Sequence, residues 1–260
     1  MRFLNFIRRL ANRLIRRRKI NLNFKTKSEM TISSCVAVHN EHAELNLLLQ
    51  QLSGWLGKND EVIIQGDQGK VTNEVISVLH NYSKDKRFNY IEYPLRKDFA
   101  TFKNNMIRQA KCDYVFLLDA DEFPPSLLLS NIDFILDANQ TVDLIYLSRV
   151  NVVQGLTNQH IKKWKWKVDL VNIEGSEFQT VLKDRYGITT HQISVVNFPD
   201  KQGRVWKNHK GIKYVNSVHE QLLGFSTYAD MAFELDSSIF HVKGIQRQEH
   251  QNAFYETCLT

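Results

Sequence analysis

Residues 113–125 read Asp113-Tyr-Val-Phe-Leu-Leu-Asp119-Ala-Asp121-Glu122-Phe-Pro-Pro125, and this stretch decides the fold. Tyr114 to Leu118 carry neither a charge nor a turn former, so they predict a short strand buried on both faces. A strand covered on both faces belongs to a sheet sandwiched between helices, which in an α/β chain is mostly parallel. The strand ends abruptly in three carboxylates within four residues. Like charges so close repel unless something positive sits between them. A divalent cation is one solution, because Mg2+ and Mn2+ take carboxylate oxygens and bind phosphate oxygens as well. In open parallel sheets ligands gather beyond the carboxyl ends of the strands, where this cluster falls. An isolated Asp-x-Asp is more often a solvated turn capping the next helix; the apolar strand in front of this one favours metal.

The flanking sequence repeats the same grammar. Ile32–Val38, Glu61–Gln65 and Phe88–Tyr93 predict strands. Glu44–Leu56, Thr72–Tyr82 and Thr101–Ala110 predict helices between them, the first with Leu45, Leu48, Leu49, Leu52 and Trp55 inward. After the prolines, Ser126–Leu136 reads as a helix and Leu144–Val150 as a strand. Residues 151–215, rich in Trp, Lys, Asn and Gly, show little periodicity and predict irregular loops and short strands over a pocket.

The net charge of +6 is not spread evenly. Residues 1–28 hold ten basic residues and no acid, so residues 29–260 carry 24 basic against 28 acidic groups, a net of −4. Nucleic acid is therefore not an expected partner. Within the tail, Phe3, Ile7, Leu10 and Leu14 recur at helical spacing opposite Arg2, Arg9, Arg13, Arg16 and Arg17. That pattern predicts a basic amphipathic helix suited to an anionic membrane surface. Docking on the body, or service as an organelle presequence, are the competing readings. No apolar run approaches the about 18–20 residues needed to cross a bilayer. The odd cysteines Cys35, Cys112 and Cys258 lack metal or redox spacing and read as reduced thiols of a cytoplasmic protein, peripheral at the inner face of a membrane.

Five ordered segments resemble glycosyltransferase family 2, a branch of the GT-A enzymes. The apolar strand running into Asp119-Ala-Asp121 is the first. Val36-Ala-Val-His-Asn-Glu41 is similar to the family's first strand with its Asn-Glu, and Val62-Ile-Ile-Gln-Gly-Asp67 to the strand ending in a base-contacting aspartate. Arg96-Lys-Asp-Phe-Ala-Thr-Phe-Lys-Asn104 resembles the Asp-Phe-Ala…Arg-Asn segment, with Lys103 where members often carry arginine. Lysine keeps the charge there and loses the planar fork. Asn197-Phe-Pro-Asp-Lys-Gln-Gly-Arg204, then Gly211 to Val218-His219-Glu220, resembles the acceptor-side block.

The resemblance implies a GT-A type, mostly parallel twisted sheet with helices on both faces, plus the N-terminal basic amphipathic helix. Residues 29–125 would form the nucleotide-sugar half and 126–260 the acceptor-binding and catalytic half. It implies an inverting transfer from a nucleoside-diphosphate sugar, UDP-sugar favoured, to a glycan, lipid-linked or protein acceptor, with Mn2+ or Mg2+. His39, Asn40, Glu41, Asp67, Lys103, Asp119 and Ala120 would bind the donor. Asp119, Asp121, and His241 or His219 would hold the metal. Glu220 is the first candidate for the base, with Asp200 in reserve and a surface pairing with Lys207 or Lys210 as its bland alternative. Glu122, Arg204 and Trp206 would face the acceptor, with Trp164, Trp166, Tyr186 and Tyr214 as further aromatic candidates. A sugar nucleotidyltransferase is the alternative enzyme, but Val38-His-Asn-Glu-His42 lacks its Gly-rich phosphate loop. A non-catalytic membrane-associated module with the same fold is the third reading.

Overall fold

The computed structural model describes residues 30–259, apart from Lys210; the expected N-terminal helix over 1–28 lies outside the described residues. The chain forms β1 (Ile32–Val38), α1 (His42–Trp55), β2 (Glu61–Asp67), α2 (Asn73–Tyr82), β3 (Phe88–Tyr93), α3 (Phe99–Ile107) and β4 (Tyr114–Asp119). β5 (Glu122–Phe123), α4 (Ser126–Ala138), β6 (Leu144–Gln154), α5 (Asn158–Trp164), β7 (Val168–Asn172) and α6 (Glu177–Tyr186) follow. β8 (Gln192–Lys207), β9 (Lys213–Val215), β10 (Gln221–Leu223), β11 (Tyr228–Asp230), β12 (Ile239–Gly244) and α7 (Ile245–Leu259) complete it.

The main sheet runs β3-β2-β1-β4-β8-β6-β12-β5, with β11 against β6 and β7 against β8. β3, β2, β1 and β4 are parallel; β8 then joins antiparallel to β4 and carries the sheet into the second half of the chain. Side chains alternate across the strands, so each face builds its own core. Phe116 and Leu118 pack with Leu45, Leu48, Leu49 and Leu52 of α1 and with Ile132 and Leu136 of α4. Val115 and Leu117 pack on the opposite face with Ala100, Met106 and Ile107 of α3. Each such side chain, fully buried, contributes about 1.5–3 kcal/mol. A third cluster joins Phe178, Val181 and Leu182 of α6 to Val150, Val195, Phe240 and Val242.

The expectation of loops over 151–215 is corrected. β6 extends to Gln154, α6 is a capped ten-residue helix, and β8 is a sixteen-residue strand. The β8 sequence is half polar, contains Pro199 and Gly203, and its pairing with β6 shifts register between Ile145 and Tyr146 and between Arg149 and Asn151. Those interruptions erase the simple period-two signal of a half-buried strand. Among the described residues no helix is long and apolar enough to cross a membrane. Cys35 and Cys112 are buried free thiols, and Cys258 is a half-buried one.

Candidate active site

The carboxylate turn is built by strand pairing. Ala120, itself buried, continues the β1–β4 ladder by donating its N–H to the Ala37 carbonyl at 3.0 Å. The Asp119 N–H then donates to Glu122 Oε2 at 3.0 Å, closing the turn on its own third carboxylate. Glu122 is 2% exposed. Its Oε1 accepts from Arg149 Nη1 at 3.1 Å and from Arg204 Nη2. Both guanidiniums also approach Asp119, at 3.9 and 3.5 Å. The positive charge that separates Asp119 from Glu122 is thus supplied by two arginines beneath the turn. Burial opposes the charge on Asp119, but Lys103 and Arg204 overcome it and hold its carboxyl below the usual carboxylate range.

Asp121 points the other way. His241 Nε2 stands 3.2 Å from its Oδ2, and Arg247 Nη2 3.4 Å away. Despite burial, His241, Arg247 and Lys243 hold this carboxyl well below its ordinary range. On the other side of the imidazole, Nδ1 lies 2.8 Å from Asn151 Oδ1. The Asn151 amide is oriented by donating from Nδ2 to Asp200 at 2.8 Å, which makes its oxygen the acceptor toward the ring. Nδ1 therefore carries a hydrogen toward Asn151, and the space between Nε2 and Asp121 holds either a second ring proton or, with the ring neutral, a place for a cation. Among the described residues no group of three His, Cys, Asp or Glu side chains stands at metal-binding spacing.

The donor-side candidates surround the strand ends. Glu41 Oε2 accepts from the His39 and Asn40 N–H groups at 2.8 and 3.1 Å, and Oε1 accepts from Arg247. His39 and Asn40 are exposed. At the end of β2, Asp67 accepts from the Leu95 N–H at 2.9 Å and pairs with Lys70 at 3.0 Å, drawing the loop after β3 against the sheet.

Glu220 reaches the site through a chain of local constraints. α3 is capped by Asp98, whose side chain accepts from the Thr101 N–H. Two residues on in the same helix, Lys103 and Asn104 face the β9–β10 hairpin. Asn104 donates to the Tyr214 carbonyl and accepts from the Tyr214 N–H, both at 2.8 Å, in the manner of a neighbouring strand. Lys103 Nζ meets Glu220 at 2.8 Å and lies over the Tyr214 ring at 5.3 Å. Burial would strip the Lys103 proton, but Asp119 and Glu220 keep its pKa above the ordinary lysine value. Glu220 is therefore partnered by Lys103.

The remaining candidates separate. Asp200 takes Arg149 through Nε at 2.9 Å and Nη2 at 2.8 Å, with Asn151 and Gln202 as further donors. His219 is exposed and edge-on to Tyr255. Trp206 is corrected to a core residue: 1% exposed and edge-on to Tyr214, it has no free ring face to offer a sugar. Arg204 is likewise buried beneath Asp119, and Glu122 faces the two arginines and not solvent. Sequence reasoning missed Arg149, Asn151, Lys243 and Arg247. Arg149 and Asn151 were detectable as polar residues inside an apolar strand. Lys243, whose pKa burial lowers to about 8, donates to Gln251 at 2.7 Å, and it follows His241 by two residues on the same strand.

Comparisons with known proteins come to the same architecture. Comparison with curated proteins gives no match. The crystal structure of S. aureus TarS 1–349 is similar with a TM-score of 0.53 at 13% identity, over 82% of this chain and 60% of that one. The same protein in complex with UDP matches with a TM-score of 0.53 at 13% identity, over 88% and 65%. Its complex with UDP-GlcNAc gives 0.52 at 14% identity, over 82% and 59%. This chain thus spans about 60% of the length of TarS 1–349, and the likeness concerns the fold. The family model described as glycosyl transferase family 2 matches residues 33–180, more than half of the sequence. With the GT-A sheet and the Asp-Ala-Asp turn at its strand ends, the chain belongs to glycosyl transferase family 2.

Proposed function

We propose that the protein transfers a sugar, with inversion, from a nucleoside-diphosphate sugar to a glycan, lipid-linked or protein acceptor, and that UDP is the preferred nucleotide. The observation that carries this reading is the Asp121–His241 pair. With the Nε2 proton displaced, the imidazole nitrogen and the carboxylate oxygen, 3.2 Å apart, would be two donors for Mn2+ or Mg2+, and the Nδ1 contact with Asn151 would orient the ring. When bound there, the ion supplies positive charge to the leaving diphosphate. Beyond Asp121 and His241, its remaining ligand positions would fall to phosphate oxygens and water.

The chain's own residues account for the rest. Lys243 and Arg247 bring positive charge to the Asp121 side, and Lys103 brings it to the Asp119 side, around the place where the diphosphate would develop charge. Glu220 is the better candidate for the base that takes the acceptor proton. Its carboxylate makes one charge pair, with Lys103, whereas Asp200 is occupied by Arg149, Asn151 and Gln202. Arg149, shared by Asp119, Glu122 and Asp200, ties the turn to β8.

A thermal-shift series with UDP, GDP, CDP and dTDP sugars, each with and without Mn2+, tests the reading. UDP-sugar should raise the melting temperature most, and only with the metal. An equal response to every nucleotide, or none to any, would refute it.

A further inference from the structure

Residues 160–167 read His160-Ile-Lys-Lys-Trp164-Lys-Trp166-Lys167, four lysines without an acid in a body whose net charge is −4. Lys162, Lys163 and Lys165 are exposed, and no ion pair engages them among the described residues. Lys167 pairs with Asp169 at 2.9 Å. Between them the aromatic rings form a ladder. His160 stacks on Trp164 with centroids 5.1 Å apart, and Trp164 meets Trp166 at 4.6 Å. Both indoles are half-buried.

The ladder is fixed to the catalytic half by backbone and side-chain bonds. Lys167 N–H donates to Asn197 Oδ1 at 2.9 Å, and Asn197 N–H returns to the Lys167 carbonyl at 2.8 Å. His160 Nε2 lies 3.4 Å from Glu249 on α7, the helix whose Arg247 reaches Asp121. Sheet register gives its distance from the chemistry. Glu122, His241, Asn151, Val196 and Val168 lie in one row across β5, β12, β6, β8 and β7. At the usual spacing between strands, Val168 is about 14 Å from His241, within reach of a short oligosaccharide. β7 is an edge strand, paired only with β8 among the described residues, so this end of the row is open.

We propose that His160–Lys167 is an outlying acceptor subsite that binds an anionic glycan chain, one bearing phosphate or carboxylate groups. This rests on the transferase reading of the site beside it. Indole faces take the apolar faces of sugar rings, and the flanking ammonium groups take the charges along the chain. The rings favour a glycan over a lipid surface. They are half-buried and packed against one another at a 50° tilt, with Trp164 stacked on His160, a fixed platform in place of side chains free to enter a bilayer.

The test needs no donor. Binding of a hyaluronan hexasaccharide and of a phosphorylated pentamannose is titrated by calorimetry, each beside its neutral counterpart, carboxyl-reduced or dephosphorylated. Wild-type protein, the triple variant Lys162→Ala/Lys163→Ala/Lys165→Ala, and Trp166→Leu are compared. At least one anionic chain should bind wild type about tenfold or more tightly than its neutral form, less so at higher salt. The triple variant should lose that preference, and Trp166→Leu should weaken both forms. No preference in wild type, or one that survives in the triple variant, overturns the proposal. So does binding of phosphatidylglycerol vesicles that the triple variant loses while neither glycan binds. UDP-sugar thermal shifts on the same proteins report the transferase reading separately, because the substituted lysines lie outside the Asp121 site.

Discussion

Asp121 and Glu122 are chain neighbours with opposite surroundings, so neutralising each should damage the protein differently. Glu122→Gln leaves buried Arg204 and half-buried Arg149 without the carboxylate they share, and breaking such a buried pair costs about 3–5 kcal/mol. Urea denaturation should show that loss. Asp121→Asn keeps shape but removes the charge that His241, Arg247 and Lys243 stabilise, so the melting temperature without ligand should fall while the Mn2+-dependent response to UDP-sugar vanishes. A variant still binding donor in a Mn2+-dependent way would remove Asp121 from the metal site. Glu220→Gln can still accept a hydrogen bond from Lys103 but cannot take a proton. Turnover should fall by roughly 10²–10⁴-fold with donor affinity nearly unchanged. Transfer at near wild-type rate would assign the base elsewhere.

At the scale of elements, α6 shows how local signals can be present and still be overlooked. Ser176 caps the helix by accepting from the Gln179 N–H, Gly187 ends it in the left-handed conformation, and Phe178, Val181 and Leu182 are spaced for one buried face. That face packs on β12, where Phe178 stacks on Phe240 at 4.3 Å, next to His241. Leu182→Ala should therefore cost about 2–5 kcal/mol by opening a cavity behind the site, read as a fall in the denaturation midpoint. An unchanged midpoint would mean that α6 is not part of the cooperative core. The parallel half was legible because each strand is a short apolar run between helices of clear period. β8 was not, because its register shifts and half-polar sequence hide a strand whose inward groups include charged Arg204. The same limit applied to the site. Asp119 and Asp121 stand at the end of an apolar strand and His241 follows an apolar pair inside another, so all three could be picked out directly. Arg149 and Asn151 owe their roles to cross-strand pairing, and Arg247 to a helix packed on Glu41, contacts that no spacing in the sequence encodes.

For the whole molecule, charge and core divide at nearly the same place, which makes the tail separable by experiment. Residues 1–28 hold ten basic groups and no acid, while the remainder of the chain is net negative. Met30 is already a buried member of the main core and β1 begins at Ile32, so a cut after residue 28 spares every described core contact. Each basic residue near an anionic surface contributes about 1 kcal/mol of attraction, screened by salt, and the apolar stripe Phe3, Ile7, Leu10 and Leu14 adds to it. Deleting residues 1–28 should leave a folded protein that still gives a UDP-sugar thermal shift. Its sedimentation with phosphatidylglycerol vesicles should fall sharply from that of the full chain at low salt, and the two should converge at high salt. Equal sedimentation of both proteins at low salt would show that the tail does not carry membrane affinity, and an unfolded truncation would show that it completes the core.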